Sequence, residues 1–182
     1  MNIPFDATYG IWRRDANTEK RTEVYEEFMG KIEHPSLDIG HRNYIGELLG
    51  IEQNTLPTDF NFTVKPYRQL SYKTITCFEV IEHVMNPLSF LINLRQLLIN
   101  EHKEVRLYLS TPVIPFISWY QWSEHFTEYK TEQLEIMIRF AGFKIVKKKI
   151  FRPFKWWFYF TGFKPLARLM MKNVIYELTI DR

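Results

Sequence analysis

Four absences bound the chain before any motif is considered. It has a single cysteine, Cys77, among 182 residues, so no internal disulfide framework is available, and the chain suits a reducing compartment; the expected location is cytoplasmic. Cys77 reads as a buried core residue with no case for a nucleophile. No run is long and apolar enough to span a bilayer, and Met1–Gly10 has no apolar segment of the kind that marks a secretory signal. There is no internal repeat and no low-complexity tract, which excludes solenoids and compositional linkers. Finally, no Asp or Glu occurs between Lys144 and Lys172, while Lys147, Lys148, Lys149, Arg152, Lys155, Lys164 and Arg168 fall inside that interval. The modest net charge of +3 therefore conceals a local excess of positive charge.

What is present is a globular composition, with 46% apolar and 16% aromatic residues, and a length that suits one domain with a sizeable core. Residues 1–182 read as that single domain, with 1–17 as an irregular lead and 152–172 as a basic, aromatic insertion. The spacing predicts a helix from Thr18 to about Lys31, capped by Asn17 or Thr18, with Val24, Phe28 and Ile32 on one face. A further helix is expected over Pro87–Leu98, burying Leu91, Leu94 and Leu98. Val105–Thr111 reads as a strand ended by Pro112. Thr131 is placed as the cap of a helix that runs to Gly142, read as its C′ residue. Phe143–Phe151 and Asn173–Ile180 read as a closing pair of strands.

The chain is organised around Lys73–Pro87. Thr74–Phe78 is a β-prone run of the kind that fits a strand inside a sheet. Glu79, Glu82 and His83 arrive where that strand should end, and Asn86-Pro87 supplies a cap and a first helical residue. A buried strand ending in ionisable groups before a helix is the plan of an open α/β sheet, where ligands sit beyond the carboxyl ends of the strands.

Cys77-Phe-Glu-Val-Ile-Glu-His-Val84, with Asn86-Pro87, resembles the fourth-strand motif of class I S-adenosylmethionine-dependent methyltransferases of the type 11/12 kind. Ser36-Leu-Asp-Ile-Gly40 resembles their first-strand motif, Leu109-Ser-Thr-Pro112 the end of their fifth strand, and His125-Phe-Thr-Glu-Tyr129 and Ala141-Gly-Phe143 the helix and strand that follow. The resemblance spans roughly Thr18 to Ile150. It implies a Rossmann-like α/β sheet, mostly parallel, with an antiparallel closing strand. It also implies an S-adenosylmethionine site built from Asp38, Gly40, Asp59, Phe78 and Glu79. Two departures stand out. Arg42, and Asn43 or Tyr44, occupy positions where the family has glycines. Ile51–Tyr72 is too short for the two strands and helix of the family, so a sheet trimmed at one edge is expected, with one strand around Thr55–Asp59. Thr58-Asp59-Phe60-Asn61 resembles the turn that touches the adenine ring, and Glu52 is the acid available for a ribose contact.

Methyl transfer requires an acceptor held in line and, where necessary, a base. The resemblance points to His83 as that base with Glu82 beside it, histidine being the side chain that ordinarily titrates near neutrality. Glu79, Glu82, His83 and His125 are also candidates for a metal site, but no metal is expected, because the same signature occurs in relatives that need none. Trp119, Tyr120, Trp122 and Phe126 read as an acceptor lid or as plain self-packing. The Lys144–Lys172 stretch reads as a cover over the last strands, then as a peripheral membrane patch, then as a nucleic-acid surface. The function expected is methylation, at oxygen, of a small-molecule or glycan/lipid-linked acceptor. The alternatives are a catalytically inactive binding or partner module and a metal-dependent nucleic-acid 2′-O-methyltransferase.

Overall fold

The computed structural model describes residues 16–40, 43–51, 72–100, 104–114, 125–154, 156, 160 and 171–180. In chain order these form α1 (Ala16–Met29), β1 (Ser36–Asp38), α2 (Tyr44–Leu48), β2 (Thr74–Phe78), a 3-10 turn (Ile81–His83), α3 (Pro87–Asn100), β3 (Arg106–Val113), α4 (Thr131–Phe140), β4 (Phe143–Phe151) and β5 (Lys172–Ile180). The five strands make one sheet in the order β1-β2-β3-β5-β4. β1, β2 and β3 are parallel, and β5 runs antiparallel to both β3 and β4. This is the α/β class expected, with β1 at the edge among the described residues. The expected strand around Thr55–Asp59, with Glu52 and Asp59, lies outside them, as do Arg42, Trp119, Tyr120 and Trp122.

Strand alternation sorts side chains onto two faces. On one, Ile75 and Cys77 of β2, Leu107 and Leu109 of β3, and Val174, Tyr176 and Leu178 of β5 pack beneath α3 and α4. On the other, Phe78, Tyr108 and Ile175 meet Tyr25, Phe28 and Met29 of α1 and Ile45 of α2. α3 presents Leu91, Leu94 and Leu98, all fully buried, as its spacing predicts. Each contributes about 1.5–3 kcal/mol through burial. Asn86 caps this helix: its Oδ1 accepts the Ser89 N–H at 3.1 Å.

Three local expectations are corrected. α1 buries Thr18, Thr22, Tyr25, Phe28 and Met29, not a Val24–Phe28–Ile32 stripe, and it ends before Ile32 because Gly30 turns left-handed at φ 66°. Thr131 is the first residue of α4 and Lys130 is the cap. Pro112 lies within β3, which continues to Val113. Its missing N–H does no harm there, because Pro112 pairs with Asn173 near the start of β5, at the end of the ladder.

The basic run on β4 is largely engaged within the molecule. Lys147 Nζ donates to the Phe28 carbonyl at 2.9 Å and lies 4.4 Å from that ring's centre. Lys148 pairs with Glu135 and Lys149 with Glu27, each at 2.7 Å. Trp156 and Phe160 are exposed and meet edge to face at 6.3 Å. No helix among the described residues is long and apolar enough to cross a membrane.

Candidate functional site

Because β1, β2 and β3 are parallel, their carboxyl ends lie on one edge of the sheet, and the start of β5 joins them there. Asp38 closes β1, Phe78 closes β2, and Ser110 and Thr111 lie near the end of β3. The polar groups gathered on this edge divide into two sets.

The first set faces α1. Asp38 is buried, with Oδ1 accepting from the Thr76 hydroxyl at 2.5 Å and Oδ2 from the Asn43 amide at 2.8 Å. Asn43 also caps α2, its Oδ1 accepting the Gly46 N–H at 2.8 Å. One amide thus ties the acid at the strand end to the helix that follows. Burial lifts the Asp38 carboxyl to about 6, against the opposing effect of those two hydrogen bonds. Gly40 adopts φ +126°, and a Cβ there would lie 2.7 Å from Val80 Cγ2. Any other residue at this point would be strained, by the backbone and by the approach to Val80 together.

Glu79 belongs to the same face through an uncommon backbone geometry. It has φ 56°, the one non-glycine residue with positive φ among those described. Simple alternation would send its side chain the opposite way to Phe78; the left-handed turn brings it under α1 instead. There Oε1 accepts from Ser110 at 2.9 Å, and Asn173 Nδ2 lies 2.8 and 2.9 Å from its two oxygens. The Tyr25 hydroxyl is within donating distance of both Glu79 Oε1 and Ser110 Oγ, at 3.0 and 2.8 Å. Burial first, and then the Glu79 charge, push the Tyr25 hydroxyl well above its usual range, so it remains a donor. Arg21 Nη1 stands 3.8 Å from Oε2. Phe78 is covered by Tyr25, the rings stacked 4.6 Å apart.

The second set forms where the 3-10 turn meets the segment before α4. Glu82 is 1% exposed, and its Oε2 accepts from the Thr111 hydroxyl at 2.9 Å. Its Oε1 lies 3.9 Å from His83 Nε2. The Glu82 carbonyl accepts the N–H groups of Phe126 and Thr127 at 2.9 and 3.2 Å, which fixes the neighbouring His125 beside the turn. The His83 and His125 rings meet edge to face at 4.9 Å. One ligand atom from each of Glu82, His83 and His125 lies within 4.8 Å of the others. Burial, and next the Glu79 charge, drive the Glu82 carboxyl well above the ordinary carboxylate range. Burial, with His83 second, lowers His125 to about 4, so it is neutral at physiological pH.

The four residues weighed for a metal are therefore not one cluster: Glu82, His83 and His125 meet, while Glu79 is held in the first set. Phe126 is exposed. The residues that sequence reasoning missed are the partners, namely Arg21, Tyr25, Asn43, Thr76, Thr111 and Asn173. Only Tyr25 left a trace, as the end of a Thr18–Thr22–Tyr25 stripe at helical spacing.

No protein-family model and no curated protein matches the sequence. Solved structures do match in three dimensions. The [4+2]-cyclase SpnF shares 13% identity at a TM-score of 0.60, over 94% of this chain and 86% of that one. A putative methyltransferase from Bacillus halodurans C-125 shares 12% at 0.58, over 87% and 97%. An S-adenosylmethionine-dependent methyltransferase from Aquifex aeolicus shares 11% at 0.57, over 91% and 94%. One of these neighbours is a cyclase, so the scaffold does not by itself fix the reaction. This chain has the fold of the class I S-adenosylmethionine-dependent methyltransferases.

Proposed function

We propose that the protein is an S-adenosylmethionine-dependent methyltransferase acting on a hydroxyl of a small-molecule or glycan/lipid-linked acceptor. The observation that carries this reading is the pairing of Asp38 and Gly40 at the exit of β1, on a sheet edge shared with Glu79. A carboxylate offers about four acceptor positions, and hydrogen bonds from Thr76 and Asn43 use two of Asp38's. The acid thus retains capacity for a ligand's ammonium group, and the glycine backbone leaves room for close approach. Held at Asp38 and Gly40, S-adenosylmethionine would supply an activated methyl group for the acceptor oxygen, with the S–CH3 bonding pair left on its sulfur. His83, with a side chain 23% exposed, takes the hydroxyl proton, and Glu82 orients it.

A second reading, a non-catalytic module that keeps the scaffold, draws support from how fully Glu79 is engaged. Its carboxylate already meets Ser110, Asn173, Tyr25 and Arg21. Titration calorimetry with S-adenosylmethionine and S-adenosylhomocysteine separates the two. One-site binding that weakens on the order of tenfold or more in Asp38→Ala supports the enzyme. Neither heat nor thermal shift at millimolar ligand retires it in favour of the module.

A further inference from the structure

We propose that the sheet edge carrying the candidate site docks on an anionic lipid surface. β5 runs antiparallel to both β3 and β4, so β4 ends and β5 begins at the edge where β1, β2 and β3 end. The connection from β4 to β5 therefore starts on the same side as Glu79 and Glu82. Four large apolar side chains stand out near this edge: Met85 after the 3-10 turn, Phe126 before α4, and Trp156 and Phe160 after β4. They are between 59% and 83% exposed. Single exposed apolar residues are ordinary on a protein surface, whereas a methionine and three aromatics at one edge of one sheet call for a partner. Tryptophan and phenylalanine suit the boundary between lipid headgroups and acyl chains, where an amphipathic or apolar ring is half withdrawn from water.

Charge selects the lipid. The sequence from Lys144 to Lys172 contains no acid, and Lys147, Lys148 and Lys149 are engaged within the molecule. Past them the sequence still carries Arg152, Lys155, Lys164, Arg168 and Lys172. Arg152 is exposed and precedes Trp156 by four residues, as Trp156 precedes Phe160. Positive charge draws such a segment to anionic headgroups, and exposed rings retain it there. Glu128 and Glu132, near the start of α4, oppose that attraction, so the contact is strongest on the β4–β5 side. The root of the segment is firm. Pro153 is buried, the Lys20 ammonium donates to the Phe154 carbonyl at 2.7 Å, and the Phe151 ring meets Tyr25 edge to face at 5.7 Å. Force on the rings is thus passed to α1 and not to a loose tether. Docking does not depend on the methyl-transfer reading; joined to that reading, it makes the acceptor a lipid-linked one.

The test is co-sedimentation of the full chain with vesicles of phosphatidylcholine alone, and with vesicles containing about a third phosphatidylglycerol, across a salt series. The expected result is binding to the anionic vesicles only, weakening as salt rises. Trp156→Ala combined with Phe160→Ala should weaken it by on the order of tenfold or more, and Arg152→Ala by roughly fivefold. Phe140→Ala should not, because this exposed ring ends α4 at the opposite edge of the sheet. If the double variant does not fold, Arg152→Ala and Met85→Ala decide. Absence of sedimentation, equal binding to neutral vesicles, or equal binding by every variant overturns the proposal. Salt-sensitive binding to a single-stranded oligonucleotide without vesicle binding also overturns it, and gives the surface to nucleic acid instead. S-adenosylhomocysteine binding measured on the same samples keeps the two proposals apart. Vesicle binding without cofactor binding leaves docking standing and retires methyl transfer. Cofactor binding without vesicle binding does the reverse.

Discussion

Ser110 and Thr111 are neighbours on β3 and donate to different carboxylates, Ser110 to Glu79 and Thr111 to Glu82, on opposite faces of the sheet. The 2.9 Å bonds are of equal length, so the strand itself separates two acids that lie three residues apart in sequence. One is locked beneath α1, and the other stands beside two imidazoles.

Glu79→Gln should destabilise the protein by about 2–4 kcal/mol, because an amide turns one donor towards groups that all donate. Ser110→Ala, which removes one of several partners, should cost about 1–2 kcal/mol. Urea midpoints at constant slope measure both. A cost for Glu79→Gln within experimental error of zero would mean that the network does not hold α1 to the sheet.

Gly40→Ala should be destabilising by about 2–4 kcal/mol, from the left-handed backbone and the approach to Val80 Cγ2 together. Val80→Ala removes the collision but not the backbone strain. The double variant should therefore be less destabilised than the sum of the singles, by roughly 1 kcal/mol. Strict additivity in a double-mutant cycle would contradict the close approach.

Asp38 gives a pH signature. Its carboxyl is raised from 3.8 to about 6 in the folded protein, so between those values the folded state binds more protons than the unfolded state. Stability from this group is therefore present below about pH 4 and is lost as pH rises through 6, by about 3 kcal/mol in all. Asp38→Asn removes the dependence. Its amide can donate to Thr76, whose hydroxyl can turn to the Leu37 carbonyl 3.5 Å away. Wild type and variant should differ little at pH 4, and the variant should be the more stable at pH 8. Parallel stability curves across this range would refute the assignment. The comparison isolates Asp38 from Glu82, which is shifted in the same direction.

The fold was largely legible because its signals are local. Asn86-Pro87 starts α3, the leucine spacing sets its buried face, and Gly142 ends α4 with a left-handed residue at φ 88°. The set of residues gathered at the strand ends was legible by type, since Glu79, Glu82 and His83 all follow directly after β2, with Val80 and Ile81 between the two acids. Its division was not. It depends on Glu79 adopting φ 56°, a conformation that a glutamate does not advertise, and on Ser110 and Thr111, 31 and 29 residues from their acids, pointing to opposite faces of a strand. Nor could α1 be oriented from its apolar residues alone. Thr18, Thr22 and Tyr25 fill its buried side, and polar side chains become core residues only when partners such as Ser110 and Glu79 receive them.

β5 lies between β3 and β4, although it follows both in sequence. Among the described residues β5 is the sheet neighbour of β4, so β4 waits for the chain beyond it to be made. Until that moment β3 also keeps one side of its ladder open. Closing the sheet and completing the polar clasp around Glu79 are thus one event, because the strand that fills the slot carries Asn173 at its head.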